Sequence, residues 1–431
     1  RRQRQMCIRD RYNTKYSVID VHFTLYIVIK ELFMATFEFS GAISGSQNDS
    51  LFETLGAKIK VIGVGGAGGN AINSMISENI NGVEFIAINS DFQDLQKSKS
   101  KRVIQIGKNI AKGLGVGGDP TLGSECAKAD QNDITEVLQG SDMVFITAGM
   151  GGGTGTGASP VVAKLAKDAG ALTIAIVTKP FEFEANKRID QAEIGIKELT
   201  DEVDSIIVIP NDRLKEVQQI SGIVDSFKAA DSVLTKAVRG ISDIIVGSGF
   251  INVDFADVKK IMTESGGKAL MGTGEGEGTS RAVEAAENAI TSPLLEDISI
   301  DGATGILINV TASSNFTIDE LNEACNHVKS KASSSVNLIF GLVLDESLGD
   351  KVRITVIATG IDGMESLKIA NQIVESDPNQ VSFDLEQKID NIDENISRTN
   401  DSNGNPDLDD LHPLGDDEHF EIPAFLRKNK K

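Results

Sequence analysis

Tryptophan is absent from the 431-residue chain, tyrosine occurs three times, and there are only four histidines and three cysteines. Cys7, Cys126 and Cys325 are too scattered for a disulfide framework or for paired metal-ligand spacing, which fits a reducing cytoplasm. His22, His327, His412 and His419 lie far apart, so no histidine triad or zinc site is expected. Positive charge is also short. Lys and Arg number 42 against 63 Asp and Glu, a formal net charge of −21, whereas a nucleic-acid binder needs a basic face. The apolar stretch Val18–Phe33 is too short and too charged for a membrane span. It also lacks the small-residue cleavage site of a signal peptide. No direct membrane insertion is expected.

Glycine, in contrast, is plentiful and clustered. Gly149–Gly157 reads Gly-Met-Gly-Gly-Gly-Thr-Gly-Thr-Gly, after an apolar run, Asp142–Ala148, that predicts a buried parallel strand. Ala158–Ala169 follows with apolar residues at helical spacing. Strand, glycine turn and helix start in that order outline a phosphate site, because the free N–H groups and dipole of a helix N-terminus favour an anion. Thr154 and Thr156 add hydroxyl donors. The segment is not a Walker A motif, since no Lys follows the glycines.

Two more glycine clusters follow predicted strands. Lys58–Ile62 runs into Gly63-Val-Gly-Gly-Ala-Gly-Gly-Asn70, with a helix predicted from Ala71, and Val103–Ile106 precedes Gly113-Leu-Gly-Val-Gly-Gly-Asp-Pro120. Gly63, Gly65 and Gly68 also match the Gly-x-Gly-x-x-Gly of a dinucleotide site, so an NAD(P)-dependent Rossmann oxidoreductase is the competing reading. That reading does not predict a second glycine turn some eighty residues later.

Further strands are predicted at Val83–Asn89, Leu172–Val177 and Ser205–Ile209, with one helix through Cys126–Leu138. Alternating strands and helices mean a doubly wound parallel sheet, with ligands beyond the strand C-terminal ends. Ser226–Val246 carries Phe227, Ala230, Leu234, Ala237, Ile241 and Ile244 on one stripe and predicts a long helix. Past Gly267, helices Ser280–Ile290 and Ile318–Lys331 alternate with strands Gly305–Thr311, Asn337–Leu344 and Val352–Ala358.

The expected fold is therefore α/β. Residues 56–225 form a nucleotide-binding domain and 226–247 a central helix. Residues 248–266 are a loop and following helix, and 267–376 a smaller α/β domain. Residues 1–33, with net charge +4, are expected to be a non-native extension, with Met34 as the native start and 34–55 a loose tail. Residues 377–417 carry twelve acidic side chains against Lys388 and Arg398 and read as a disordered linker. The apolar and basic end, 418–431, reads as a docking peptide.

On these motifs the chain resembles the tubulin/FtsZ family of GTPases, in its bacterial cell-division branch. The matching segments are Gly63–Asn70, Gly113–Pro120, Gly149–Gly157, Val177–Glu184, Ile209–Asp212, Asn252–Val258 and Glu421–Arg427, in order and at compatible spacing. The resemblance implies a cytoskeletal protein that polymerises head-to-tail, binds GTP and GDP with Mg²⁺, and acts in the cytoplasm at midcell on the inner face of the membrane. It implies that Gly66, Ala67, Gly68, Gly69, Asn70 and Gly117 wrap the nucleotide. Gly152, Gly153, Thr154 and Gly155 would hold the phosphates, Glu184 and Arg188 would meet sugar and phosphates, and Asn211 and Asp231 would read guanine. Asn252, Asp254 and Asp257 would complete hydrolysis on the next subunit's nucleotide. A membrane-bound adaptor would take residues 418–431. A filament protein that binds nucleotide without hydrolysing it, or a non-division tubulin-like protein, stands as a further alternative.

Overall fold

The computed structural model describes residues 56–361, apart from 215–221, 247–248, 265–266, 296–299 and 334–335. The expected extension 1–33, the tail 34–55, the acidic linker and the terminal peptide lie outside the described residues.

Six parallel strands build the N-terminal half: β1 (Ile59–Val64), β2 (Val83–Asn89), β3 (Arg102–Gln105), β4 (Met143–Gly149), β5 (Leu172–Lys179) and β6 (Ser205–Pro210). Their spatial order is β3-β2-β1-β4-β5-β6. Every residue of β1 is buried, as helices on both faces require, and this is why the strand reads as an apolar run without alternation. Successive side chains still part to opposite faces. Ile59 and Val61 join the core under α1 (Gly65–Ser77), whereas Ile62 and Val64 join the core on the other face. That second core packs under α3 (Pro120–Ala129), α4 (Gln131–Leu138), α5 (Thr154–Asp168) and α6 (Asn186–Glu202). A short α2 (Phe92–Gln96) follows β2.

The long helix α7 spans Ile223–Ile245, three residues earlier at its start than the spacing predicts. Its stripe Ala230, Val233, Leu234, Ala237, Ile241 and Ile244 enters the first core. Beyond it come α8 (Phe255–Glu264), β7 (Gly267–Gly276), α9 (Arg281–Ile290), β8 (Gly305–Ala312), α10 (Ile318–Ser330), β9 (Asn337–Leu344) and β10 (Val352–Thr359). The two halves meet in the sheet as well as through α7. β6 pairs in parallel with β7 from Ser205↔Gly267 to Ile207↔Ala269, and the order continues β7-β10-β8-β9.

Two local expectations change. The single helix through Cys126–Leu138 is two helices, because Asp130 leaves helical geometry and its Oδ2 accepts from Gly107 N at 2.6 Å. Strand β7 carries too many glycines to show a strand pattern. A Cβ on Gly272, Gly274 or Gly276 would come within 2.2 Å of the carbonyl oxygens of Ala289, Ala285 and Arg281. Glycine at every second position thus leaves a flat strip for the alanine-rich α9 to lie against.

Arg281 locks that C-terminal half. Its Nε donates to Glu320 Oε1 at 2.6 Å, Nη1 to Asp350 O at 3.1 Å and Nη2 to Glu320 Oε2 at 3.2 Å. Glu320 also accepts from Thr317 N, closing the capping box of α10. The hydrogen bonds from Arg281 hold the Glu320 carboxyl at about 2, well below its ordinary 4.5. Arg281→Ala is expected to lower stability by about 3 kcal/mol, the low end for a broken buried pair, because Glu320 keeps some contact with water. Chemical denaturation measures this. A folded value below the unfolded one means the contribution is full above pH 4.5 and fades as pH falls towards 2. The loss caused by the substitution should therefore shrink at acid pH.

Candidate functional site

β1 and β4 are neighbours whose connections leave in opposite directions, so a crevice opens beyond their C-terminal ends. A cavity of about 560 Å³ lies there. Twelve of the fourteen nucleotide-binding residues expected from the sequence line it: Gly66, Ala67, Asn70, Gly117, Gly152, Gly153, Thr154, Gly155, Glu184, Arg188, Asn211 and Asp231. The two others sit elsewhere. A Cβ on Gly68 would meet Thr147 O at 2.4 Å, so this glycine lets α1 lie directly on β4. Gly69 lines a smaller neighbouring pocket with Asn73 and Asp94.

The glycine segments are less loop-like than their composition suggests. α1 begins at Gly65, not Ala71, so Gly66 to Asn70 form its first turns, and the N–H groups of Gly65, Gly66 and Ala67 at its open end have no partner within the helix. α5 likewise begins at Thr154 inside the Gly149–Gly157 segment. Thr154 lines the cavity, and its Oγ1 lies 2.7 Å from Ser90 Oγ. Thr156 does not line it. Its Oγ1 accepts from Gly151 N at 2.9 Å, so this hydroxyl shapes the turn rather than facing a ligand there.

On the far wall, Glu184 is held twice. Oε1 accepts from Phe181 N at 3.0 Å and Oε2 from Arg188 Nη1 at 2.5 Å. Asn211 is buried, and its Oδ1 finds no hydrogen-bond partner among the described residues. An orphaned buried acceptor on a cavity wall fits a ligand that brings a donor. Asp231 projects from the N-terminal half of α7, and burial pushes its carboxyl up to about 6. Among the described lining residues Arg188 is the one cation, against Asp91, Asp94, Glu184 and Asp231.

Among the other lining residues, which had no nucleotide role assigned from the sequence, are Asp91, Asp94, Phe227 and Leu114. Asp91 and Asp94 follow the end of β2, the place where ligands gather in such sheets, and that position is the signal that could have found them. Phe227 reads as part of the apolar stripe of α7, yet it lines the cavity and packs edge-on to Phe181 at 5.4 Å. Leu114 lines the cavity and is largely exposed.

Asn252, Asp254 and Asp257 are exposed and line no part of this cavity. Their loop is fixed at the other end of α7, where Val253 N donates to Ile244 O at 3.2 Å and Phe250 N to Leu342 O at 2.8 Å. The Asp254 carbonyl accepts from Asp257 N and Val258 N and starts α8. Ile244 lies thirteen residues beyond Asp231, about 20 Å at 1.5 Å per residue. One chain therefore separates the two groups of site residues by the length of a helix.

A doubly wound sheet with a glycine-built anion cradle at its switch point, closed by a long helix bearing a carboxylate, defines a nucleotide-binding protein without a P-loop lysine. The Tubulin/FtsZ family GTPase-domain model matches residues 58–219, and the FtsZ family C-terminal-domain model matches 267–362. A cell division protein FtsZ from Buchnera aphidicola subsp. Schizaphis graminum is 48% identical over 374 residues, covering 86% of this chain and 97% of the relative. That of Pseudomonas aeruginosa is 44% identical, covering 88% and 98%. Among solved structures, an empty FtsZ dimer from M. jannaschii superposes with a TM-score of 0.69 at 43% identity, covering 74% of this chain and 94% of that one. The chain belongs to the tubulin/FtsZ family of GTPases. The oxidoreductase alternative is not favoured.

Proposed function

We propose that this chain is the filament-forming GTPase of cell division, which assembles head-to-tail into a ring at midcell and hydrolyses GTP to GDP and phosphate between subunits. The observation that carries the reading is the separation just described: a cradle at one end of α7 and an acidic loop at the other, about 20 Å apart. A subunit stacked on the next brings the two together, and repeated heterologous contact yields an open filament. The dimer form of the M. jannaschii relative supports self-association.

In this reading the N–H groups opening α1 and α5, with the Thr154 hydroxyl, hold the phosphates, and Arg188 meets their charge. Asn211 Oδ1 and the Asp231 carboxylate accept hydrogen bonds from guanine, and Phe227 offers an apolar face to the base. Among the described lining residues are four carboxylates and one cation, so a triphosphate calls for Mg²⁺, which would supply charge neutralisation, with Asp91 and Asp94 as oxygen donors just after β2. Asn252, Asp254 and Asp257 of the adjoining subunit orient the attacking water, Asp254 accepting its proton.

Residues 418–431 dock on a membrane-bound adaptor at the end of the acidic linker 377–417, which keeps the ring at the inner face of the membrane. Among the described residues, no helix is long and apolar enough to cross a membrane. Phosphate release and light scattering, followed together against protein concentration with GTP and Mg²⁺, test the proposal. Activity per molecule should rise as scattering appears, and a chain ending at residue 417 should behave the same. Activity per molecule independent of concentration would sink the shared site.

A further inference from the structure

Asn89, the last residue of β2, and the following Ser90 and Asp91 tie the walls of the cavity to one another. Asn89 O accepts from Ile106 N at 3.0 Å, Asp91 forms a bridge with Leu114, and the next residue, Phe92, donates from N to Gly113 O at 3.1 Å. Those contacts fix the Gly113–Pro120 segment. Ser90 reaches the other way, to Thr154 at the start of α5, with its Oγ 2.7 Å from Thr154 Oγ1. Ser90 is fully buried, Thr154 is nearly so, and Ser90 Oγ has no other hydrogen-bond partner among the described residues.

Each hydroxyl carries one proton, and the geometry alone allows either to donate. The surroundings distinguish the two directions. Ser90 has no second acceptor to turn to, whereas Thr154 lines the cavity and gains an acceptor when an anion occupies it. Only the chain Ser90 O–H to Thr154 O–H to anion uses both protons once the cavity is filled. A donor that itself receives a hydrogen bond is also polarised and donates more strongly.

We propose that Ser90 is a positioning residue, which orients the Thr154 hydroxyl so that its proton points at a phosphate oxygen of the bound nucleotide. The inference rests on the reading of Thr154 as a phosphate ligand. Ser90 touches no part of the nucleotide and acts through Thr154. The competing view is a strut, in which the bond only fastens β2 to α5.

A double-mutant cycle on the full chain separates these. Ser90→Ala, Thr154→Val and the double variant are titrated with GTP, GDP and guanosine, and their melting temperatures are recorded. Ser90→Ala should weaken GTP and GDP about two- to tenfold, the worth of one hydrogen bond, and leave guanosine unchanged. In the Thr154→Val background it should add nothing. Ser90→Thr keeps the hydroxyl and should bind GTP like the wild type. If that variant does not fold, Thr154→Ser takes its place and should lose the same factor on Ser90→Ala. Losses that multiply in the double variant, or an equal loss for guanosine, would overturn the role of Ser90 alone. A Thr154→Val variant that binds GTP like the wild type would remove the reading of Thr154, and this inference with it.

Discussion

Asp254→Ala should bind GTP like the wild type, hydrolyse it at least a hundredfold more slowly and form long-lived filaments, because a positioned general base contributes about 10²–10⁴ in rate. Binding survives because Asp254 is exposed at the far end of α7 and lines no part of the cavity. Asp257→Ala should follow the same direction. The stronger test is complementation. Thr154→Arg places a bulky cation at a buried position beside the phosphate cradle and should abolish the nucleotide site while leaving the Asp254 loop intact. Each variant alone should be inactive. Mixed, an intact cradle on one subunit can meet an intact Asp254 on its neighbour, so activity should return in part and peak near equal amounts. Sedimentation of the two variants together shows whether they co-assemble. If they do, and every mixture is as inactive as its components, hydrolysis is not shared between subunits.

Which parts of this molecule the sequence discloses follows from where its side chains go. The central strands of the parallel sheet are buried on both faces, so apolar runs such as Lys58–Ile62 and Asp142–Ala148 locate β1 and β4 to within two residues. The stripe of α7 locates the long helix less closely, three residues late at its start. Strand β7 stays hidden because, where it meets α9, it contributes an absence of side chains, at Gly272, Gly274 and Gly276. In the glycine segments, composition marks the place but not the state. Gly66–Asn70 and Thr154–Gly157 look like loops and are helix starts, since helix propensity gives way where backbone must approach backbone or ligand. The roles of Gly68 and Thr156 turn on contacts with residues distant in sequence or on a turn's internal bonding, which spacing does not encode. Asp231 stands out by family resemblance alone, and its burial beside the cavity gives it a physical character that a motif does not supply.

That character makes the Asp231 result depend on pH. Asp231→Ala should weaken GTP binding by about 1.5–3 kcal/mol, the range for a hydrogen bond to a charged group, or roughly ten- to 150-fold. Guanine presents two N–H donors to one carboxylate, whereas adenine presents an acceptor at the corresponding ring nitrogen. ATP should therefore bind the wild type far less well than GTP, and the substitution should narrow that gap. In the unliganded fold, burial raises the carboxyl to about 6 from an ordinary 3.8, so the empty site favours the neutral form. The corresponding stability is full below 3.8 and is lost as pH rises through 6. Guanine reverses this, since two donors favour the carboxylate. Binding then releases a proton at pH below 6, and affinity should fall by up to about tenfold per unit of further acidification. Guanosine is the ligand for this measurement, because its base carries the interaction and no phosphate titrates beside it. Calorimetric titrations from pH 7.5 to 5 should show the decline in the wild type and a flat profile in Asp231→Ala. The same slope in both proteins, or equal displacement of bound GTP by ATP and by GDP, would take guanine recognition away from Asp231.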